Sequence, residues 1–413
     1  MHHKPTDDYP LSQSFRFGPV LAQCAENTVH HNEQRLHKRV IAHHVERKTT
    51  IHIVEDTLTQ SNRRLANVVM DYLKVNRDPA KLVVLGRLFS QMNGIELEFL
   101  VQGIPYRVEG GAPFLARNEI VKLLMYPRLA QQLRSPLTDN GRGMILGTAN
   151  TPNRMVRRRD LEDVLTLASR NQISVRQALE SCVDPLSTPF GSMTVRAFED
   201  YIEALTILAS NREAPAGETL EWLVEFLDFD GHFDDYYGNS EAAEDRKRAV
   251  HALCEYAHIS RLSLVDFVNH IDKLDTTQGK PATEQILLTS IHRVKGLEFD
   301  VVIIPDCIEG YIPCLVDNDN LAYDTRDKGD SPSVQYTIDA ERRLFYVAIT
   351  RAKEALYIGT VPRANDRNAA VPSDFLDEMA LDITQRAFDA WGDGDTEELC
   401  YILDDANTPK NLV

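Results

Sequence analysis

Short apolar, β-branched runs fall into two blocks separated by a long stretch that has none, and this spacing restricts the fold more than any other feature of the chain. The first block holds TTIHIVE (49–55), KLVVLG (81–86) and IPYRVEG (104–110), with an amphipathic helical pattern over Ser61–Val75. The second holds QILLTSI (285–291), VVIIP (301–305) and EALYIGT (354–360), the last preceded by the helical AERRLFYVAITRAK. Apolar strands alternating with helices call for a mostly parallel sheet covered on both faces. From about Leu124 to Lys280 the pattern turns helical: Leu220, Leu223, Val224 and Leu227 form one stripe, and Leu264, Phe267, Val268 and Ile271 another. The expectation is an α/β chain in which a mainly helical domain (125–280) is inserted into a parallel-sheet domain (1–124 and 281–382). A tail (383–413) follows, helix-prone as far as Gly392 and weakly patterned beyond it.

The 413 residues are 43% hydrophobic, enough for two or more domains with substantial cores. A net charge of −17 gives the whole chain no long-range attraction to nucleic acid, so any such site has to be a local basic groove. Cys24, Cys182, Cys254, Cys307, Cys314 and Cys400 form no C-x-x-C pair; no metal site is expected, and a reduced, cytoplasmic chain is the simplest reading. The sequence holds no apolar run long enough to span a bilayer, so no membrane partner is expected. The histidines at 30, 31, 37, 43, 44 and 52 lack ligand spacing and read as solvated surface.

The chemistry concentrates in two segments. LLTSIHRVKGLEFDVVIIP (287–305) places Thr289, His292, Arg293, Lys295, Gly296 and Glu298 between two buried strands. ERRLFYVAITRAKEALYI puts Leu344, Val347 and Ala348 on one helical face, with Arg351 one turn beyond. An arginine ending a packed helix is well placed to reach an anion, and one that meets a transferring phosphoryl group contributes roughly 10³ to 10⁵ in rate.

HRVKGLEFDVVIIP followed by ERRLFYVAITRAKEALYI resembles motifs V and VI of the UvrD/Rep/PcrA-type superfamily 1 DNA helicases. YPLSQSFRFGPVLA (9–22) is similar to motif IV, with Ser14-Phe15-Arg16 as its triplet, and PSDFLDEM (372–379) to the short helix after motif VI. The resemblance covers residues 9 to 380 and implies that the sheet domain is the second RecA-like core. It further implies that Arg16 and Arg351 face the γ-phosphate of ATP, and that Glu298 meets the ribose with Gly296 allowing close backbone approach. Thr289 and His292 would contact single-stranded DNA, with Phe15 near the strand. The inserted domain matches the family's accessory domain. Its duplex-gripping Asn-x-Pro-x-Arg-Gly-Ile-Gly is here NTPNRMVRRRD: Asn150, Pro152 and Arg154 match, and Met155-Val156-Arg157 replace the glycine segment. Arg154, with Arg157 and Arg158, is then the expected DNA contact, Arg159 adding charge. The acidic EFLDFDGHFDDYYGNSEAAED contains no Lys or Arg and reads as a surface that repels DNA.

A motor of this class also needs a first core with a glycine loop, G-x-x-x-x-G-K-[ST], and an acidic Mg²⁺ motif. Neither occurs; TTQGKPAT (276–283) has Gly279-Lys280 but no glycine five positions earlier. The expectation is therefore half of a nucleotide pocket, using ATP with Mg²⁺ only when a protein bearing a Walker-A core completes it. Two further readings remain open: a non-catalytic DNA-binding or regulatory module, and a truncated product.

Overall fold

The structure is a computed structural model that describes residues 12–32, 39–75, 77–186, 188–238, 240–275, 284–314, 338–364, 369–404 and 409. Gly279-Lys280 and His37 lie outside the described residues. The expected strands form as β1 (Thr50–Glu55), β2 (Leu82–Gly86), β3 (Tyr106–Glu109), β4 (Ile286–Ser290), β5 (Phe299–Ile304) and β6 (Ala352–Thr360). They make one sheet in the order β1-β6-β5-β2-β4-β3, with every neighbouring pair parallel. Residues from the two blocks interleave, so the sheet closes only when both blocks meet.

Side-chain alternation along the strands divides the helices between the two faces. On one face Val83, Leu85, Val302, Ile304, Leu356 and Ile358 share a core with α1 (Pro19–His30) and with the later helix Ile338–Ile349. Gly359, the next residue of β6, turns to the other face, where α2 (Leu58–Lys74) lies so close that a Cβ would stand 2.6 Å from Ser61 Oγ and 2.8 Å from Leu65 Cδ1. The helix α3 (Asn93–Gln102) packs on α2. A buried ion pair, Arg87 Nε to Glu341 Oε1 at 3.1 Å, ties the loop after β2 to the helix Ile338–Ile349.

The helical region divides from the sheet at Gly111, not at 124: the described residues from 112 to 275 form their own compact unit. The earlier boundary follows from α4 (Asn118–Gln131), whose buried Ile120, Leu123, Leu124 and Tyr126 pack among the helices of this unit. Those helices are α5 (Asp139–Thr148), α6 (Arg158–Arg170), α7 (Val175–Glu180), α8 (Ser192–Ser210), α9 (Ala216–Phe226), α10 (Phe229–Tyr237), α11 (Glu241–Ser260) and α12 (Leu264–Asp275). Both expected leucine-rich stripes are buried in α9, its end, and α12. The remaining helices, α13 (Ile338–Ile349), α14 (Asp374–Glu378), α15 (Leu381–Asp393) and α16 (Thr396–Asp404), belong to the sheet unit. Helix α16 extends order into the weakly patterned part of the tail, where Ile402 and Leu399 pack with Ile383 and Ala387 of α15.

Candidate functional site

The residues of interest collect at two opposite edges of the sheet. Because all six strands run parallel, Glu298 and Lys353, at the starts of β5 and β6, mark one edge, and Thr289, near the end of β4, marks the other. Strands of five or six residues at ~3.3 Å each hold the two edges roughly 15–20 Å apart.

At the first edge lies an open pocket of about 540 Å³ whose lining includes Phe15, Arg16, Glu298, Thr350, Arg351 and Lys353. Arg16 donates from Nη1 to the Thr350 carbonyl at 2.9 Å and from Nε to Glu298 Oε2 at 3.2 Å. Arg351 donates to the carbonyls of Val347 (2.9 Å) and Leu297 (3.0 Å) and, from Nη2, to Thr350 Oγ1 at 3.4 Å. Two guanidiniums thus converge on one threonine, each with N–H groups left over for a ligand. Burial and the neighbouring Arg16 push the Arg351 pKa down, the sign of like charges held close. Glu298 is held below its usual range, first by the hydrogen bond from Arg16 and then by the charges of Arg16 and Lys353. Lys353 lies 2.7 Å from Asp300 and 3.7 Å from Glu298; the Asp300 hydrogen bond raises its pKa.

The helix that delivers Arg351 buries Phe345, Ala348 and Ile349, while Leu344 and Val347 are only partly covered. The deepest stripe is therefore one position round from the expected one. Phe15 is 59% exposed and lines the pocket beside Arg16, so it does not stand with Thr289 and His292 at the far edge. Its ring packs 4.1 Å from His43 and 5.9 Å from His44. These two exposed histidines thus have a structural contact that a reading as solvated surface did not foresee. Arg47 Nη1 donates to the Phe15 carbonyl at 2.8 Å and also lines the pocket.

At the far edge, Thr289 is buried and its hydroxyl donates to the Glu109 carbonyl at 3.0 Å. Burial corrects the expectation of a phosphate contact through this side chain. His292 and Arg293 are exposed on the short 3-10 turn Ile291–Val294. Gly296, in the loop returning to Glu298, has φ +90° with open space around it, a conformation that other residues adopt only with strain.

In the helical unit, Arg154 departs from the DNA contact expected of it. It is 5% exposed and donates to the carbonyls of Thr148 (3.0 Å), Pro152 (3.0 Å) and Ala197 (3.0 Å) and to Tyr126 Oη (3.0 Å). Its guanidinium also lies 4.8 Å from the centre of the Tyr201 ring. Arg154 therefore holds the loop closed from within. Arg157, Arg158 and Arg159 are exposed at the start of α6, Arg158 Nε lying 2.8 Å from Glu162. Met155, where the family's pattern has its first glycine, keeps a left-handed backbone with φ +54°.

Comparison with known proteins bears on both units at once. The UvrD-like helicase C-terminal domain matches residues 9–194 and 162–362. The chain belongs to this family. Its relatives include the ATP-dependent DNA helicase PcrA of Staphylococcus epidermidis, 25% identical over 402 residues, which cover 91% of this chain and 51% of the relative. DNA helicase II of Rickettsia typhi is 25% identical over 401 residues, 91% of this chain and 55% of the relative. PcrA of Bacillus subtilis is 24% identical over 382 residues, 85% of this chain and 47% of the relative. The chain spans about half the length of these curated relatives. Within this UvrD-like domain, sequence reasoning missed Thr350, Lys353 and Arg47. Thr350 and Lys353 flank Arg351 and could have been found there; Arg47 had no signal in its loop.

Proposed function

We propose that this chain is the second-core part of an ATP-driven, 3′-to-5′ DNA helicase or translocase of UvrD type. The reading rests above all on the convergence of Arg16 and Arg351 on Thr350 in an open pocket. A triphosphate suits such a pair, since its oxygens can accept from both guanidiniums, which share the single carboxylate of Glu298 in the pocket lining. In this proposal Arg351 acts as the arginine finger and Arg16 as its partner on the γ-phosphate. Glu298 exchanges part of its bond with Arg16 for a ribose hydroxyl. The exposed ring of Phe15 offers an apolar face beside the nucleotide.

The donor set fits the phosphates of ATP better than it fits the metal. The carboxylate in this pocket's lining, Glu298, is already engaged by Arg16 and Lys353, so Mg²⁺ would be held by residues other than the described lining of this pocket. When bound, the metal would neutralise phosphate charge. The glycine-loop core comes, on this reading, from a protein segment beyond this sequence. Single-stranded DNA would pass the far edge of the sheet near His292, and a duplex junction would meet Arg157 and Arg158. The setting proposed is the cytoplasm, where the DNA lies.

The test is reconstitution. By itself the chain is expected to leave ATP intact with or without DNA. With a protein carrying a glycine-loop core it is expected to show DNA-stimulated hydrolysis, and Arg351→Ala is expected to lower the rate of the pair by on the order of 10³. Equal turnover by the pair containing Arg351→Ala would sink the finger assignment.

A further inference from the structure

We propose that the helical unit carries a separate site for a phosphoryl anion, in the cavity bounded by α4, α10, α11 and the loop after α5. The cavity measures about 130 Å³, the liquid share of roughly four waters. That is room for one tetrahedral oxyanion. Lys122, Thr151, His232, Tyr236, Tyr237 and Arg246 contribute to its lining.

The case is one of donors against acceptors. Lys122 Nζ donates to Thr151 Oγ1 at 2.9 Å, which occupies one of its three N–H groups. His232 Nδ1 faces the Asn153 amide at 3.3 Å and must accept from it. The neutral ring then carries its proton on Nε2, as a further donor. Burial, followed by the charges of Lys122 and Arg154, pushes the His232 pKa down, and Asp235 and Asp228 oppose this. At neutral pH the ring therefore keeps the tautomer that the amide requires. Arg246 stacks 3.9 Å above the Tyr237 ring while Nη1 donates to the Ala242 carbonyl at 2.7 Å, leaving other N–H groups of the guanidinium available. Tyr236 and Tyr237 bring two phenols to the lining from α10.

Against these stands one carboxylate in the lining, Glu119, so the cavity has two cations and one anion. Lys122 is partly desolvated, which pushes its pKa down, and Glu119 restores only some of the loss. A partly buried lysine, a neutral imidazole donor and two phenols around a small cavity fit a phosphoryl group. Asn150 also lines the cavity, but its side chain is engaged with the amides of Arg154 and Val156 and the carbonyl of Val156. His232, Tyr236 and Tyr237 all come from the acidic segment expected to repel DNA. Within that segment Asp230 lies 3.0 Å from His251, and Asp234 pairs with Lys247 at 2.6 Å, which neutralises part of its charge. None of the six residues belongs to the Arg16–Arg351 pocket, and the proposal stands whether or not the chain supports ATP hydrolysis.

Inorganic phosphate, a backbone diester and a terminal monoester share this chemistry, and the experiment separates them. The imidazole resonances of His232 in the full chain would be followed by NMR during titration with inorganic phosphate, with chloride at matched ionic strength as the control. A saturable shift is expected with phosphate alone, weakened at least tenfold in Lys122→Gln, which can keep a bond to Thr151. Arg246→Gln is the second variant should the first fail to fold. Fluorescence anisotropy with 5′-phosphorylated and 5′-hydroxyl duplexes then identifies the source. A 5′-phosphate advantage lost in Lys122→Gln indicates a terminal monoester, and equal weakening of both duplexes a backbone diester. Dependence on Lys122 seen with inorganic phosphate alone indicates the free ion. If folded wild-type chain shows no His232 shift with phosphate or either duplex, or if both folded variants respond as wild type does, the site does not exist.

Discussion

Two loops of this molecule carry similar sequence features and use them in opposite ways. The loop from Ile291 to Glu298 contains a left-handed Gly296 and leads to a pocket where Arg16 and Arg351 keep donors for a ligand. The loop from Asn150 to Arg158 contains a left-handed Met155, and its motif arginine, Arg154, turns inward to bind carbonyls of its own unit. An arginine at a matching motif position is thus no guarantee of a ligand contact. What decides is whether the surrounding helices leave its donors facing solvent or surround them with carbonyls.

The sharpest way to break this contrast is to remove Arg154. Arg154→Ala removes the buried hydrogen bonds to the Thr148, Pro152 and Ala197 carbonyls and to Tyr126 Oη. Because the Thr148 carbonyl keeps the Thr151 amide and the Tyr126 hydroxyl keeps its bond to Thr151, the loss should be about 3 kcal/mol. Urea unfolding would measure it; a change below about 1 kcal/mol would mean that the loop does not depend on this side chain. The two left-handed residues come next. Gly296→Ala should destabilise and Met155→Gly should stabilise, each by about 1–2 kcal/mol, because a Cβ is disfavoured at positive φ. Opposite signs in thermal unfolding are the outcome to look for.

A smaller effect is expected at the exposed arginines. Arg157→Ala should shift stability by no more than about 0.5 kcal/mol. It should also reduce the slope of log affinity against log salt for duplex DNA by about 1. An unchanged slope would remove this side chain from the proposed DNA surface. The smallest effect belongs to Glu298, whose folded pKa is lowered, so its contribution is present above its unfolded value near 4.5 and fades as pH falls through the folded value. The carboxylate is half exposed, so the stability gap between wild type and Glu298→Gln should be under about 1 kcal/mol at pH 7 and should shrink steadily as the pH is lowered below 4.5. A gap that did not shrink on acidification would show that the ion pair with Arg16 is not its source.

These loops also mark where sequence reading stopped. The six strands and the stripes of α9 and α12 were legible because their periods are local. So was the grouping of Arg16, Glu298 and Arg351, through three motifs in the family's order. The burial of Arg154 was not legible, because it depends on Tyr126 from α4 and Ala197 and Tyr201 from α8, which no local period connects to the loop. The place of Phe15 beside Arg16 was not legible, because a motif orders residues along the chain and does not say at which end of a parallel strand they emerge. The domain boundary moved because α4 is helical on either reading, and only its packing partners assign it.

Thr350 follows the last residue of α13 and stands two residues before β6 begins, and both guanidiniums rest on it: Arg16 on the carbonyl, Arg351 on the hydroxyl. The two cations share a single footing. Whatever draws either arginine toward the pocket therefore loads the same joint, where the helix beneath gives way to the strand beside β5.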